Sequence, residues 1–177
     1  TTETVHRTPL VIFPPWINKF YIMDLKEKNS LIRWIVDQGY TLFVVSWVNP
    51  GIDYAETGLE DYITDGYLKA IEVVKEITEE PQVNAVGYCI AGTTLSMTLA
   101  LMKARGDKSV KSATFFTTLT DFSDKGEFTP FLENDFIDAL MRQVEKDGML
   151  DRYYMARTFT YLRSRDLIYG AAVRSYM

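Results

Sequence analysis

Gly87-Tyr88-Cys89-Ile90-Ala91-Gly92-Thr93 is the stretch on which the fold turns. Before it, Val83 to Tyr88 is a short apolar run that reads as a buried strand. After it, Thr93 to Ala104 is rich in Leu, Met and Ala and reads as a helix stopped by Gly106. A cysteine therefore stands where a strand ends and a helix opens. The spacing is that of a nucleophile elbow, G-x-S-x-G, with Cys in the Ser position and Ala at the second Gly. Such a nucleophile sits on a sharp, strained turn, so the residues two away on each side must be small. Gly87 and Ala91 are small, and Gly92 gives the helix more room to pack on the strand. A helix N-terminus presents N–H groups and positive dipole, which favour negative charge on a thiolate or an oxyanion. The plain alternative is a cysteine that is merely a small buried apolar residue. The strand-turn-helix setting and the small flanks favour the elbow.

Strand and helix alternate around this stretch. Leu10-Val11-Ile12-Phe13, stopped by Pro14-Pro15, reads as a first strand. Asn29 or Ser30 can cap a helix running to Gln38, with Gly39 as its stop. Thr41 to Trp47 reads as a second strand, ended by the Asn49-Pro50-Gly51 turn. Thr57 and Glu60 have capping-box spacing. Leu59, Tyr62, Ile63, Tyr67, Ala70, Ile71, Val74 and Ile77 then form one helical apolar face, ended by Pro81. Val110 to Leu119 reads as a fourth strand. Strands separated by helices predict an α/β fold, a mostly parallel sheet with helices on its faces. After Asp121 the pattern changes. Ser123 to Gly126 is loop-like. Ile137, Leu140, Met141 and Val144 share a helical face broken by Gly148, and further helices are expected over Asp151 to Tyr161 and Asp166 to Tyr176. Residues 122–177 thus read as a helical appendage on the sheet of residues 1–121.

An oxyanion hole needs a second N–H, normally from the loop after an earlier strand. Here that loop is Pro14-Pro15-Trp16-Ile17-Asn18, and proline has no N–H. The first available donor is Trp16, then Ile17. A rigid turn with Trp16 packed in the core is the equal alternative. A cysteine nucleophile also wants a histidine base held by a carboxylate. The only histidine is His6, before the first strand, and it reads as a surface residue. The elbow order of nucleophile, acid, base calls for a His after Cys89, and none follows. Asp121 lies too early for the acid and reads as a loop cap. The chain as it stands therefore holds no complete triad. Glu79-Glu80 reads as a solvated helix end. Tyr153, Tyr154, Phe159 and Tyr161 fit either an apolar substrate channel or ordinary helix packing, and Trp16, Phe20 and Tyr21 share that ambiguity.

Composition narrows the function classes. A net charge of -5 argues against a general nucleic-acid or anionic-membrane binder. One cysteine cannot form an internal disulfide, which fits a reducing compartment. One histidine and one cysteine rule out a Cys/His zinc cage. The sequence holds no metal-ligand cluster and no Gly-rich phosphate loop. The longest apolar stretch, around Leu42 to Val48, is far short of the roughly 20 residues that span a bilayer. The chain starts without Met and stops at Met177 just after a helical stretch, so both ends read as cut.

Five blocks, in order, resemble the polyhydroxyalkanoate (poly-3-hydroxybutyrate) synthases, class I type. They are Pro14-Pro15-Trp16-Ile17-Asn18-Lys19-Phe20-Tyr21-Ile22-Met23-Asp24-Leu25, Ser46-Trp47-Val48-Asn49-Pro50, the elbow itself, Thr117-Thr118-Leu119-Thr120-Asp121-Phe122 and Phe159-Thr160-Tyr161-Leu162-Arg163. The resemblance runs from about Thr8 to Met177. It implies an α/β-hydrolase core over 1–121 with part of a helical cap over 122–177. It implies polymerisation of (R)-3-hydroxyacyl-CoA into polyester with release of CoA, through a Cys-His-Asp triad and no cofactor. The nucleophile position matches Cys89, and the oxyanion donors would be the backbone N–H groups of Ile90 and Trp16. The family's Asp and His match no residue here, so the isolated chain is expected to turn over little or nothing. The partners implied are the growing polyester chain at cytoplasmic granules and a second copy in a homodimer. The family elbow usually reads G-x-C-x-G-G, and Ala91 departs from it with an extra methyl that would shift the turn slightly. An incomplete sheet would leave an open edge and favour self-association. Three other readings stand beside this one: a non-polymerising thiol hydrolase or acyltransferase of the same fold, a non-catalytic granule- or partner-binding fragment, and a purely structural α/β domain that would tolerate Cys89→Ala.

Overall fold

Four apolar runs pair into one parallel sheet in a computed structural model that describes residues 2, 4–17, 19–123, 134–150 and 152–162. The strands β1 (Leu10–Phe13), β2 (Leu42–Val44), β3 (Val83–Tyr88) and β4 (Val110–Phe116) lie in the order β2-β1-β3-β4. Helix α1 (Leu31–Asp37) joins β1 to β2. A long crossover of α2 (Leu59–Asp61), a π-helical segment (Tyr62–Leu68) and α3 (Lys69–Thr78) joins β2 to β3. Helix α4 (Ile90–Ala104) joins β3 to β4. The chain steps outward from β1 to β2, then returns past β1 to β3. That reversal puts a topological switch point between the C-terminal ends of β1 and β3, the place where open α/β sheets bind their ligands. Phe13 pairs with Gly87, so the Pro14 loop and the Cys89 turn leave the sheet side by side.

Strand alternation divides the core. Val11, Phe13, Val83 and Ala85 pack against Tyr67, Ile71 and Val74 of the long crossover and Ala91, Leu95 and Met102 of α4. Ile12 and Val86 face the other way, onto Ile35, Leu31 and Ile32 of α1. Right-handed crossovers demand this split, because the first connection steps to one side of β1 and the next two step to the other. β4 is an outer strand, like β2, and its Phe115 and Phe116 are exposed.

Several boundaries differ from the sequence reading. Ser30 does cap α1, its hydroxyl accepting the Arg33 N–H at 2.8 Å. The expected Thr57/Glu60 capping box moves one residue on: the helix starts at Leu59, and the Asp61 carboxylate accepts the Gly58 N–H at 2.7 Å. β2 ends at Val44, one ladder bond (Val45 N–H to the Ile12 carbonyl, 3.0 Å) before Trp47 turns away to its own contacts. β4 stops at Phe116, not Leu119, because Thr117 turns left-handed with φ 44°. α4 begins at Ile90 rather than Thr93, directly after the cysteine.

The chain divides into two compact units, residues 1–49 with 57–122, and residues 50–56 with 123–177. The second contains α5 (Asn134–Asp147) and α6 (Arg152–Leu162). Gly148 closes α5 as expected, donating to the Val144 carbonyl at 2.7 Å with φ 74°. A methyl there would meet Ile52 Cδ1 at 2.8 Å, which places the short helical turn Ile52–Tyr54 against the end of α5. The helix expected over 166–176, and most of the turn at 123–126, lie outside the described residues. Among the described residues no helix is long and apolar enough to cross a membrane.

Candidate active site

The turn after β3 has the backbone an exposed nucleophile needs. Cys89 adopts φ 58°, ψ -129°, a conformation that costs a non-glycine residue about 1–3 kcal/mol. The surroundings hold it there. Its N–H donates to the Phe116 carbonyl at 2.9 Å, extending the β3–β4 ladder by one bond, and its own carbonyl accepts from Gly92 (2.9 Å) and Thr93 (3.3 Å) as α4 begins. The residue is exposed, which removes the buried-apolar alternative. Ile90 and Ala91 open the helix, so their N–H groups have no intrahelical acceptor and stand beside the sulfur's turn.

The crowding falls differently from the expectation. A methyl on Gly87 would sit 2.5 Å from Gly92 Cα and 3.0 Å from Gly92 N. A methyl on Gly92 would sit 2.0 Å from Thr118 Oγ1. The position that admits a side chain is Ala91, whose methyl is fully buried in the core beneath the helix. The motif thus needs glycine at 87 and 92, whereas the side chain at 91 points into the core. Thr118 belongs to the loop after β4, and the Thr93 hydroxyl ties that loop down by donating to the Leu119 carbonyl at 2.7 Å.

The loop after β1 is fixed from the other side. Pro14 and Pro15 are buried, and the Trp47 indole N–H donates to the Pro14 carbonyl at 2.7 Å. The Trp16 ring stacks on Tyr62 at 4.3 Å and meets Trp47 edge-on at 6.4 Å. Its side chain is therefore packed, as one alternative held, while its backbone stays on the loop that borders the Cys89 turn. Ile17 is exposed. Lys19 donates to Asn49 Oδ1 at 2.8 Å, joining this loop to the turn after β2.

The other sequence candidates lie apart. His6 is exposed, stacks on Tyr40 at 4.2 Å, and its N–H binds the Gly39 carbonyl just before β2. That is the N-terminal end of the parallel strands, whereas Cys89 follows their C-terminal end. Asp121 is exposed beyond β4. Tyr153 is exposed with the Arg152 guanidinium over its ring, and the side chains of Phe159 and Tyr161 lie outside the described residues. Two surface hollows, of about 290 and 440 Å³, both include Asp107, which precedes β4 at the end of the sheet away from Cys89. Among the described residues no group of three or more His, Cys, Asp or Glu side chains could hold a metal ion. Sequence reasoning missed what Trp47 and Tyr67 hold: Trp47 entered only as a strand end and a resemblance block, Tyr67 only as part of an apolar helical face.

Residues 1–35 match a family described as poly-beta-hydroxybutyrate polymerase (PhaC) N-terminus. The whole chain is 44% identical to the poly(3-hydroxyalkanoate) polymerase subunit PhaC of Rhizobium meliloti (strain 1021) and covers 29% of it. It is 45% identical to the poly(3-hydroxyalkanoate) polymerase of Methylorubrum extorquens over 100% of the chain and 29% of that protein. Against the PhaC subunit of Cupriavidus necator the identity is 38%, over 99% of the chain and 31% of that protein. The chain thus spans under a third of the length of these relatives.

Proposed function

We propose that this chain, which belongs to the poly(3-hydroxyalkanoate) polymerase family, supplies the acyl-accepting thiol of such an enzyme, Cys89. In this reading residues 1–121 are the N-terminal part of an α/β-hydrolase core and 122–177 enter a helical cap. The observation behind it is the strained, exposed Cys89 between β3 and the N-terminus of α4, beside the loop that leaves β1.

The chemistry follows from that placement. The Cys89 thiolate attacks the thioester carbonyl of an (R)-3-hydroxyacyl-CoA. A sulfur–carbon bond forms and the carbonyl electrons move to oxygen. The oxyanion accepts hydrogen bonds from the Ile90 and Trp16 backbone N–H groups, Ile90 being at a helix N-terminus where negative charge is favoured. As the carbonyl re-forms, the bond to CoA sulfur breaks and CoA leaves. One thioester replaces another, so this exchange is nearly thermoneutral, which suits cysteine better than serine. The hydroxyl at the end of the growing chain then attacks acyl-Cys89, gives up its proton to a base, forms the ester and frees the thiolate. His6 is at the wrong end of the sheet to be that base, so a histidine base would come from outside these 177 residues. Elbow residues Gly87, Ala91 and Gly92 position the thiol, and the reaction needs no metal or organic cofactor. The family reading further places the enzyme in the cytoplasm at polyester granules, as a homodimer.

Product analysis separates the alternatives. The longest native form of the chain, given (R)-3-hydroxybutyryl-CoA, is expected to release CoA and deposit polymer. Free 3-hydroxybutyrate in place of polymer would make it a thiol hydrolase. Absence of CoA release would leave the granule- or partner-binding reading.

A further inference from the structure

We infer that Tyr67 is a positioning residue whose hydroxyl holds the two proposed oxyanion donors, Ile90 and Trp16, in mutual register, an inference that rests on the acyl-acceptor reading of Cys89. The first observation is the π-helical segment Tyr62–Leu68 in the middle of an otherwise α-helical crossover. In an α-helix, residues five apart point about 140° away from each other. In a π-helix, hydrogen bonds join residues five apart and bring them onto one face. Tyr62 and Tyr67 are five apart, and both rings meet Trp47, at 5.9 and 5.5 Å. The widened turn therefore lets one helix present two tyrosines to the same cluster. Gly66 permits it, since a methyl there would meet Trp47 Cζ3 at 2.9 Å.

The second observation is what Tyr67 touches. Its side chain is fully buried. Its ring stacks on Phe13, the last residue of β1, at 4.3 Å and 15°. Its hydroxyl donates to the Ala91 carbonyl at 2.9 Å, in the first turn of α4 and one residue from Ile90. The Trp16 indole N–H is buried beside that hydroxyl. One side chain thus contacts the strand end that launches the Trp16 loop and the helix turn that carries the Ile90 N–H. Burial pushes the phenol well above its ordinary pKa, so it stays a proton donor at working pH.

Tyr67→Phe in the longest native form keeps the ring and deletes the hydroxyl. We expect kcat for CoA release from (R)-3-hydroxybutyryl-CoA to fall about tenfold with KM within twofold. Alkylation of Cys89 by iodoacetamide, which forms no oxyanion, should keep its rate and pH profile. A kcat within twofold of the unsubstituted protein overturns the inference. So does a parallel fall in alkylation, or loss of the cooperative melt, since either would make the hydroxyl a general structural contact. Failure of the acyl-acceptor reading is told apart because the unsubstituted protein itself would then release no CoA, or Cys89→Ala would leave release intact. Either result removes this inference with it.

Discussion

Cys89→Ala in the longest native form is expected to lower CoA release from (R)-3-hydroxybutyryl-CoA by about a thousandfold or more, with little change in stability. The size of the loss follows from removing a covalent nucleophile, after which only binding and oxyanion stabilisation can assist. The small effect on stability follows from exposure: the thiol buries little apolar surface, so its removal leaves no cavity. Alanine keeps a Cβ at φ 58°, so the backbone strain of the turn is unchanged. Steady-state CoA release and a thermal melt, run side by side, check both halves. Release within tenfold of the unsubstituted protein would contradict the role given to Cys89.

Gly87→Ala is expected to destabilise the fold by about 3 kcal/mol, at the upper end of ordinary overpacking costs. The new methyl would stand 2.5 Å from Gly92 Cα, and that neighbour is backbone, so no side chain can rotate away. α4 would have to lift from β3, taking the Ile90 N–H with it, and activity should fall along with stability. Gly106→Ala is the control. Nothing lies within 4 Å of a methyl there and only its φ of 71° opposes it, so about 1 kcal/mol is expected. Denaturant melts of the two variants would show equal losses only if the close approach of α4 to β3 were unimportant.

Much of this site is legible in the sequence because it is local. A strand, a small-residue turn and a helix follow one another within 83–104, and their order fixes the cysteine at the mouth of a parallel sheet. Phe13 and Gly87 meet because both precede a turn on adjacent strands, and two prolines point to Trp16 as the next donor. What escapes is non-local or depends on backbone geometry. The spacing of Leu59 to Ile77 fits an ordinary α-helix, and only the pairing of Tyr62 and Tyr67 around Gly66 hints at the π-helical turn. The crowding at Gly92 comes from Thr118, contributed by a loop 26 positions on, as measured by the Thr93–Leu119 bond that anchors it. Ala91, where the resembling motif has Gly, finds room for a reason no motif states: its methyl points into the core.

The most direct measurement of the central claim is the mass of the longest native form after brief exposure to (R)-3-hydroxybutyryl-CoA, followed by peptide mapping at acidic pH. A hydroxybutyryl group, or a short oligomer of it, is expected on the peptide containing Cys89 and absent from Cys89→Ala. An unmodified Cys89 peptide during active CoA release, or an acyl group on another residue, would contradict it.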